Sequence, residues 1–393
     1  MKKGVNFFGS SETSDGIGRA AALNIECLRA SKLSVDEFVL SRPVALQSGK
    51  DTVIDDALIR SLRYNVNIFH FSARWVPHYF SKLSAGVMEG FYNIGYWVCE
   101  TPKIPDQWAR QFEFFDEIWT ASVFCQSAIA RSANIPVVRI PHCIKPNEVT
   151  ERVSARILGN NPGVFNFLAI FNTYSDAERK NILFTIRAFL EAHGNQTTIR
   201  LIVKVSNLGY DSVLAGKLRN ISLTYKNIEI IDGYIADQAI RDLYEQADAY
   251  VSLHRAEGFG LTIADAMSLG IPVIATGYSG NMEFCNAIDT NLVSYEICPV
   301  GHDRLRYRRE DVWAEPNMTH AIQTFREMVL DYPSKLRMAL RARQRIDKEF
   351  SLQQISDLML ERILLIQSNF SFSNDLDGRR LDSDVGVFNT YGF

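Results

Sequence analysis

The sequence predicts an α/β fold built from two doubly wound domains. Its 393 residues exceed one ordinary core and suit two domains of roughly 150 to 200 residues each. Short apolar runs alternate with helical patterns in both halves of the chain, which indicates parallel strands joined by helical crossovers. Hydrophobic residues make up 47% of the chain and charged residues 22%, so both domains have enough apolar side chains to form a core.

The first domain is predicted to span residues 1–150. Its strand-like runs occupy 5–8, 35–40, 68–71, 94–98, 117–120 and 137–140, and its helical patterns cover 18–30 and 122–133. The stretch that follows contains Pro141, Pro146, Gly159 and Pro162 and has little apolar pattern, which is typical of an interdomain connection.

The second domain is predicted to span residues 163–350 and to repeat the alternation. Its strand-like runs occupy 165–170, 199–205, 228–231, 250–253 and 273–276. A helical pattern then extends from 317 to 367, with breaks near 332–333 and 350–351. The last part, 351–393, is predicted to form a helix and a tail that return to the first domain, and the tail from 368 has no periodicity.

Composition excludes several classes of protein. The net charge of -3 gives no field of one sign, so nucleic acid is not a predicted partner. The six cysteines lack C-x-x-C spacing, which indicates a reduced compartment and no zinc site. No window approaches the roughly 18 apolar residues of a membrane helix, so a cytoplasmic protein is predicted, and peripheral contact at the inner face of the cell membrane stays open. The D-x-D patterns at 375–377 and 382–384 lie in the unpatterned tail, so neither a metal nor another cofactor is predicted.

The clearest motif is HRAEGFGLTIADAMSLGIPVIATGYSGNMEF, which begins at His254. Gly258 and Gly260 stand just before a predicted helix, whose free N–H groups and dipole favour an anion. Glu257 precedes that helix and Asp265 lies in its first turn, so both carboxylates can reach one pocket and accept hydrogen bonds from sugar hydroxyls. Taken singly, Asp265 could equally complement the helix dipole, and Glu257 could be a solvated loop residue.

A second motif, NTYSDAERKNILFTIRAFLEAH, places two basic residues near a predicted helix start. Ser175 and Glu178 form a capping box, so the helix is expected to begin at about Asp176. Arg179 and Lys180 then lie in the first turns, where positive charge opposes the helix dipole. An incoming diphosphate would reverse that effect, whereas two basic residues on a solvated face would need no ligand.

The segment NIGYWVCETPKIPDQWARQFEFFDEIW carries candidate acceptor residues. Trp97 and Glu100 are predicted beyond the strand end, where they can stack on a sugar and hydrogen-bond to it. His70 ends the run NIFHF and could face the same cleft, although a lone histidine is more often structural. The other aromatic residues of this region are predicted to pack in the core: Trp108, Phe112, Phe114, Phe115 and Trp119.

The opening stretch SETSDGIGRAAALNIE contains Gly16, Gly18 and Ala21 in G-x-G-x-x-A order. It fails the dinucleotide fingerprint, because residues 10–15 separate the first strand from Gly16 and no acid ends the next strand. Gly16 and Gly18 still present backbone N–H groups to an anion at a helix start. An ordinary strand-to-helix connection is the alternative.

Together these motifs resemble the retaining family 4 glycosyltransferases of the GT-B fold. The resemblance implies two Rossmann-like domains that face each other across a cleft. It implies that Glu257 lies against the transferred sugar, and that Lys180 first and Arg179 second neutralise the leaving diphosphate. Asp265 stands where the family has a glutamate that holds the ribose. The implied donor contacts come from both domains: Gly16, Gly18, Gly258, Phe259, Gly260, Leu261, Asp265 and Gly280.

The implied reaction moves a sugar from a nucleotide diphosphate sugar to a hydroxyl of a glycan or lipid-linked oligosaccharide, with retention of configuration and without a metal. The acceptor segment resembles a subset common in bacterial surface-polysaccharide assembly, which favours GDP-mannose as the donor. Three other functions stay open: a nucleotide-sugar epimerase of the same fold, an NAD-dependent dehydrogenase, and a non-catalytic glycan-binding protein.

Overall fold

The computed structural model describes residues 4–10, 16–40, 52–158, 160, 163–304 and 306–380, with side chains up to 369. Residues 11–15 of the opening stretch, the pattern at 382–384 and the side chains of 375–377 lie outside the described part. Within the described residues, the chain forms two parallel sheets with flanking helices and one small antiparallel hairpin.

The first sheet contains the six strands predicted in the first half of the chain. They are β1 (Gly4–Gly9), β2 (Ser34–Val39), β3 (Val66–His70), β4 (Tyr92–Tyr96), β5 (Glu117–Thr120) and β6 (Val137–Arg139). All pairings are parallel, in the order β2-β1-β3-β4-β5-β6. The helices are α1 (Gly16–Ala30), α2 (Asp56–Arg60), α3 (Val76–Tyr79), α4 (Asp106–Ala109) and α5 (Val123–Ala130).

The second sheet also has six parallel strands. They are β7 (Phe165–Asn172), β8 (Ile199–Ser206), β9 (Ile228–Asp232), β10 (Ala249–Ser252), β11 (Val273–Thr276) and β12 (Asn291–Val293). The strand order is β12-β11-β10-β7-β8-β9, so the direction in which the sheet grows reverses between β10 and β7. Ligands bind at such a switch point in parallel sheets. The fold class predicted from the sequence is therefore confirmed.

Helices and a hairpin complete the second half. The helices are α7 (Ala177–Lys180), α8 (Ile182–His193), α9 (Ser212–Thr224), α10 (Asp237–Glu245) and α11 (Leu261–Ser268). Strands β13 (Tyr295–Pro299) and β14 (Val312–Pro316) pair antiparallel. Neither β12 nor this hairpin was predicted, because β12 is only three residues long and β13 is mostly exposed, so neither gives a clear apolar run.

One further helix lies in the predicted interdomain connection. Helix α6 (Glu151–Ile157) begins at Thr150, whose hydroxyl accepts a hydrogen bond from the N–H of Val153 at 3.1 Å. The connection is therefore partly helical, which the proline and glycine content did not indicate.

Three long helices end the described chain. They are α12 (Met318–Leu330), α13 (Tyr332–Glu349) and α14 (Leu352–Arg380), and they break where the sequence predicted. Helix α14 packs on α1 of the first domain, and Arg362 pairs there with the fully buried Glu117 at 2.9 Å. Helix α14 continues to Arg380, beyond the point at which the amphipathic pattern ends, so the prediction of an unpatterned tail from 368 was wrong for its first part.

The carboxyl ends of the two sheets face each other. After β5, the Ser122 hydroxyl donates to the carbonyl oxygen of Gly258, in the loop after β10, at 2.8 Å. Next to it, the N–H of Val123 donates to the Glu283 carboxylate, which follows β11, at 2.8 Å. The loops that bind ligands in parallel sheets therefore meet in one cleft.

Candidate active site

The loop between β10 and α11 is fixed by the loop that follows β11. The N–H of Glu257 donates to the Ser279 hydroxyl at 2.7 Å, and the N–H of Gly280 donates to the carbonyl oxygen of Glu257 at 2.8 Å. Ser279 has a φ of 78°, a conformation that costs free energy in a non-glycine residue and often occurs at functional sites. The sequence predicted a glycine loop here but not the part played by Ser279.

A buried histidine supports the same two loops. His254 approaches the Asn281 side-chain oxygen at 3.1 Å, and Asn281 donates its amide to the carbonyl oxygen of Thr276 at 3.0 Å. Both side chains are fully buried. Burial lowers the pKa of His254, so the ring is neutral at neutral pH. His254 opens the quoted motif, yet nothing in the sequence distinguished it from an ordinary buried residue.

The glycines of the motif permit very close packing. A Cβ at Gly258 would collide with Val98 of the first domain, and a Cβ at Gly280 would collide with the carbonyl oxygen of Gly258. Gly260 has a φ of 97° and precedes the first residue of α11, Leu261. Only glycine meets these requirements, which gives a structural reason for the G-x-G spacing.

Phe259, between the two glycines, is a packing residue. Its side chain is buried, and its ring lies 5.0 Å from both the His142 ring and the Phe284 ring. Any contact that it makes with a ligand must therefore come from its backbone.

Four charged side chains meet above this loop. The Lys180 ammonium contacts one Glu257 carboxylate oxygen, and the Arg179 guanidinium lies 3.2 Å from the other. Arg179 also lies 3.8 Å from the Glu100 carboxylate of the first domain. The structure thus brings together residues that are separated by 77 positions or more in the sequence.

The cluster fixes the protonation state of its central acid. Burial opposes ionisation of Glu257, but the charges of Lys180 and Arg179 outweigh it and lower the pKa of Glu257 to about 2. Glu257 is therefore a carboxylate at neutral pH, able to accept hydrogen bonds and unable to serve as a proton donor. Burial also lowers the pKa of Lys180.

The helix that carries the basic pair differs from the prediction. Asp176, not Ser175, caps α7 by accepting from the N–H of Glu178 at 3.0 Å and that of Arg179 at 3.2 Å. Asn181, with a φ of 56°, ends this single turn. The basic pair therefore occupies the last turn of α7, where positive charge suits the helix dipole, and the argument from an unfavourable dipole was wrong.

The two basic residues differ in availability. The Arg179 side chain is 3% exposed and donates to the carbonyl oxygens of Ser175 at 2.8 Å and Ala256 at 2.5 Å. Lys180 is 16% exposed and is paired with Glu257 alone among the described residues. Arg179 therefore braces the loops, while Lys180 is the cation that can turn to a ligand.

Asp265 is paired across the cleft with a residue that the sequence analysis missed. Both Arg19 guanidinium nitrogens donate to its carboxylate oxygens at 2.5 Å. Arg19 extends from α1, next to Gly18, and its side chain is 45% exposed. The arginine three positions after Gly16 could not be assigned this role from the sequence, because its partner belongs to the other domain. In α1 itself, Gly16 is exposed and Gly18 is buried.

The predicted acceptor residues do not all reach the cleft. Trp97 is completely buried and packs against Phe112 at 5.3 Å between ring centroids, so its predicted role in stacking on a sugar was wrong. The Trp97 N–H still donates to the carbonyl oxygen of Trp119 on β5 at 2.9 Å, and the indole packs in the core of the first domain. Glu100, three residues further on, retains 21% side-chain exposure and belongs to the charged cluster. The aromatic residues predicted for the core are buried or half-buried: Trp108, Phe112, Phe114, Phe115 and Trp119.

His70 is also interior. It is 2% exposed and stacks on Tyr96 with a centroid distance of 4.5 Å. Neither ring nitrogen has a hydrogen-bond partner among the described side chains and backbone. Burial lowers the pKa of His70 to about 4, so it is neutral and does not open to the cleft in this conformation.

The described residues contain neither a cluster of metal ligands nor a membrane-spanning helix. Within the described ranges, no three His, Cys, Asp or Glu side chains are grouped so that they could hold a metal ion. In the same part of the chain, no helix combines the length and apolar character needed to cross a bilayer.

One segment of the second half of the chain matches a known protein family. Residues 166–296 match the model of the family described as glycosyl transferases group 1. A sucrose synthase from Melioribacter roseus is 30% identical over 138 residues, which are 32% of this chain and 17% of that protein. The chain thus matches less than a fifth of that relative's length.

Solved structures share the overall architecture. Sucrose-phosphate synthase from Thermosynechococcus elongatus superposes with a TM-score of 0.67 at 14% identity, covering 93% of this chain and 100% of that one. HepE from Anabaena, in complex with UDP-glucose, gives a TM-score of 0.64 at 13% identity and covers the same fractions. At such identities the likeness establishes the fold, which is GT-B.

Proposed function

We propose that the protein is a metal-independent, retaining glycosyltransferase that uses a nucleotide diphosphate sugar. The observation that carries this proposal is the buried cluster of Glu257, Lys180 and Arg179 at the start of α11, on the edge of the interdomain cleft. The cluster supplies a carboxylate for sugar hydroxyls and a cation for a diphosphate within one contact distance. Its position in the group 1 domain supports the same reading.

The chemistry follows from the charge that develops in the reaction. As the glycosidic bond breaks, the leaving diphosphate gains negative charge, which Lys180 and the free N–H groups at the start of α11 stabilise. Glu257 stays ionised and holds the transferred sugar through its hydroxyls. As the family resemblance implies, we propose that the acceptor hydroxyl attacks from the face that the diphosphate leaves, and that the departing phosphate takes the proton.

Donor binding requires a change at Asp265. Ribose hydroxyls can reach that carboxylate only if they share or replace its two hydrogen bonds from Arg19. We propose that Arg19 then turns toward the diphosphate, beside the N–H groups of Gly16 and Gly18. An Arg19→Ala variant should therefore bind the donor more weakly.

GDP-mannose is the first donor that we propose, and UDP-glucose is the alternative. The first follows from the resemblance of the acceptor segment, and the second from the HepE complex with UDP-glucose. The proposed acceptor is a glycan or lipid-linked oligosaccharide of surface-polysaccharide assembly, used at the inner face of the cell membrane.

Thermal shift with a panel of GDP- and UDP-sugars, followed by measurement of donor turnover, tests the proposal. One nucleotide sugar should raise the melting temperature, and Glu257→Ala and Lys180→Ala should each abolish release of the nucleoside diphosphate. Arg337→Ala, on the exposed side of α13, serves as a control that should retain both properties. Failure of every nucleotide sugar to bind, or normal turnover in both variants, would overturn the assignment.

A further inference from the structure

A second cavity lies beside the charged cluster, with a volume of about 350 Å³. One wall is the segment 101–107 after β4, and the other is the loop that joins β13 to β14. Both domains therefore contribute to it. None of the residues quoted above for donor binding lines this cavity.

The lining carries more positive than negative charge. Its cations are Lys103, Arg131, Arg304, Arg306 and Arg308, and its anions are Asp106, Glu310 and Asp311. Asp106 is shared by two of the cations, at 3.1 Å from Lys103 and 3.3 Å from Arg308.

Two of the arginines are not neutralised by a carboxylate of the described residues. Among the described residues, neither Arg131 nor Arg306 has a carboxylate within ion-pair distance, and Arg306 donates to the carbonyl oxygen of Tyr174 at 2.9 Å. Guanidinium groups that are not neutralised by carboxylates and that face one cavity favour a ligand with several anionic oxygens.

A buried tyrosine connects the cavity to the reaction centre. Tyr307 lines the cavity and is 4% exposed, and its hydroxyl has no hydrogen-bond partner among the described residues. Burial and the charge of Glu100 raise the pKa of Tyr307, so its hydroxyl keeps its proton at neutral pH and can donate a hydrogen bond. The hydroxyl is enclosed and feels the charges of Glu100 and Arg179, so Tyr307 joins the cavity wall to the charged cluster.

A second connection passes through Arg304. Its guanidinium lies 2.8 Å from Asp176, the residue that caps α7 and so positions Arg179 and Lys180. The cavity and the charged cluster are therefore adjacent, with Tyr307 and Arg304 between them.

We propose that this cavity binds a phosphate or diphosphate group carried by the sugar acceptor. The inference rests on the proposed glycosyltransferase function and extends it by naming the chemical class of the acceptor. Arg131 and Arg306 hold the phosphate oxygens. The phosphate forms and breaks no bond; it fixes the acceptor so that one of its hydroxyls reaches the transferred sugar.

Calorimetric titration of the full chain with its donor site already filled tests this inference. The protein is saturated with the nucleoside diphosphate that it binds, then titrated with inorganic diphosphate, a hexose 6-phosphate, or undecaprenyl diphosphate in detergent micelles. The unphosphorylated hexose and undecaprenol micelles are the matched controls. Binding of the hexose phosphate alone identifies a soluble acceptor, and tighter binding of the lipid identifies a lipid-linked one; either supports the inference.

Variants locate the binding site. The double change Arg131→Ala with Arg306→Ala should weaken binding of the phosphorylated titrant by at least about tenfold. Arg306→Lys should retain part of the affinity, and Arg337→Ala should retain all of it. The affinity for the nucleoside diphosphate should stay unchanged in every variant.

The inference fails if no phosphorylated titrant binds to the nucleotide-saturated protein, or if the double variant binds it as tightly as the wild type. In both cases the nucleotide still binds, so the proposed glycosyltransferase function survives. If instead no nucleotide or nucleotide sugar binds at all, the proposed function fails and this inference fails with it.

Discussion

Helices α1 and α11 both begin at glycines after a strand of a parallel sheet, yet their beginnings differ in packing. At α11, Gly258 lies against Val98, Gly280 lies against Gly258, and Gly260 has a left-handed conformation. At α1, a Cβ on Gly16 would have no atom of the described residues within 4 Å. One glycine segment is assembled in advance, and the other is open.

This difference suggests a division of work between the domains. The second domain arranges its carboxylate, its cations and its N–H groups before any ligand arrives, so little reorganisation remains for the reaction. The first domain contributes an exposed helix start and the Arg19 side chain that reaches Asp265. It is suited to adjust around a ligand that the second domain already holds.

The largest expected effect comes from the acid at the centre of the assembled site. Glu257→Gln keeps the size of the side chain and one acceptor oxygen but removes the charge that faces Lys180 and Arg179. We expect turnover of the donor to fall by at least about 100-fold, as for other preorganised polar groups in active sites. Release of nucleoside diphosphate measures it, with the exposed Glu113→Gln as the control. Normal turnover would reduce Glu257 to a structural residue.

The next effect is on stability and comes from the close contact between domains. Gly258→Ala places a methyl group against Val98, and we expect it to lower the free energy of unfolding by about 1 to 3 kcal/mol. Urea unfolding measures the change. Adding Val98→Ala should make room for the methyl group, so the double variant should be more stable than the sum of the single changes predicts. Strict additivity would show that the two sites do not touch.

The sequence predicted the strands and helix breaks that depend on residues close together in the chain. Strands such as β7 are covered on both faces and give continuous apolar runs, so they were predictable. The breaks at Asp331 and at Phe350 were also predictable from local residues. By contrast, β12 is too short and β13 too exposed to show a regular pattern of apolar residues.

The site was predictable mainly in its second-domain half, with Glu100 as the first-domain residue that the sequence also indicated. Glu257, Lys180 and Arg179 belong to local motifs, whereas the partner of Asp265 comes from Arg19, 246 positions away, through domain docking. Trp97 was wrongly placed because no sequence pattern tells that its side chain packs into the core at the end of β4. Which residue caps α7 was equally undecidable, since Ser175 and Asp176 are both good capping residues.

Acidic pH should lower the free energy of unfolding through His142, a buried histidine next to the α11 loop. His142 packs on Phe259, and burial, with a smaller contribution from His70, lowers its pKa to about 3. Since its pKa is about 6.5 in the unfolded chain, the unfolded state binds more protons below that pH, and stability falls as the pH drops. Between pH 6.5 and 5.5, the wild type should lose about 1 kcal/mol more than His142→Gln. Equal slopes in urea unfolding would contradict this.

The smallest expected effect is at the open helix start. Gly16 lacks a left-handed φ and has free space at its Cβ, so Gly16→Ala should fold normally and raise stability by less than about 1 kcal/mol. If the diphosphate meets only the backbone N–H of Gly16, the donor affinity should change by less than about twofold, or roughly 0.4 kcal/mol. Calorimetric titration with the preferred nucleotide sugar measures this. A tenfold loss would instead mean that the first domain closes on the ligand as tightly as α11 does, so the openness seen at Gly16 would belong to the unliganded protein alone.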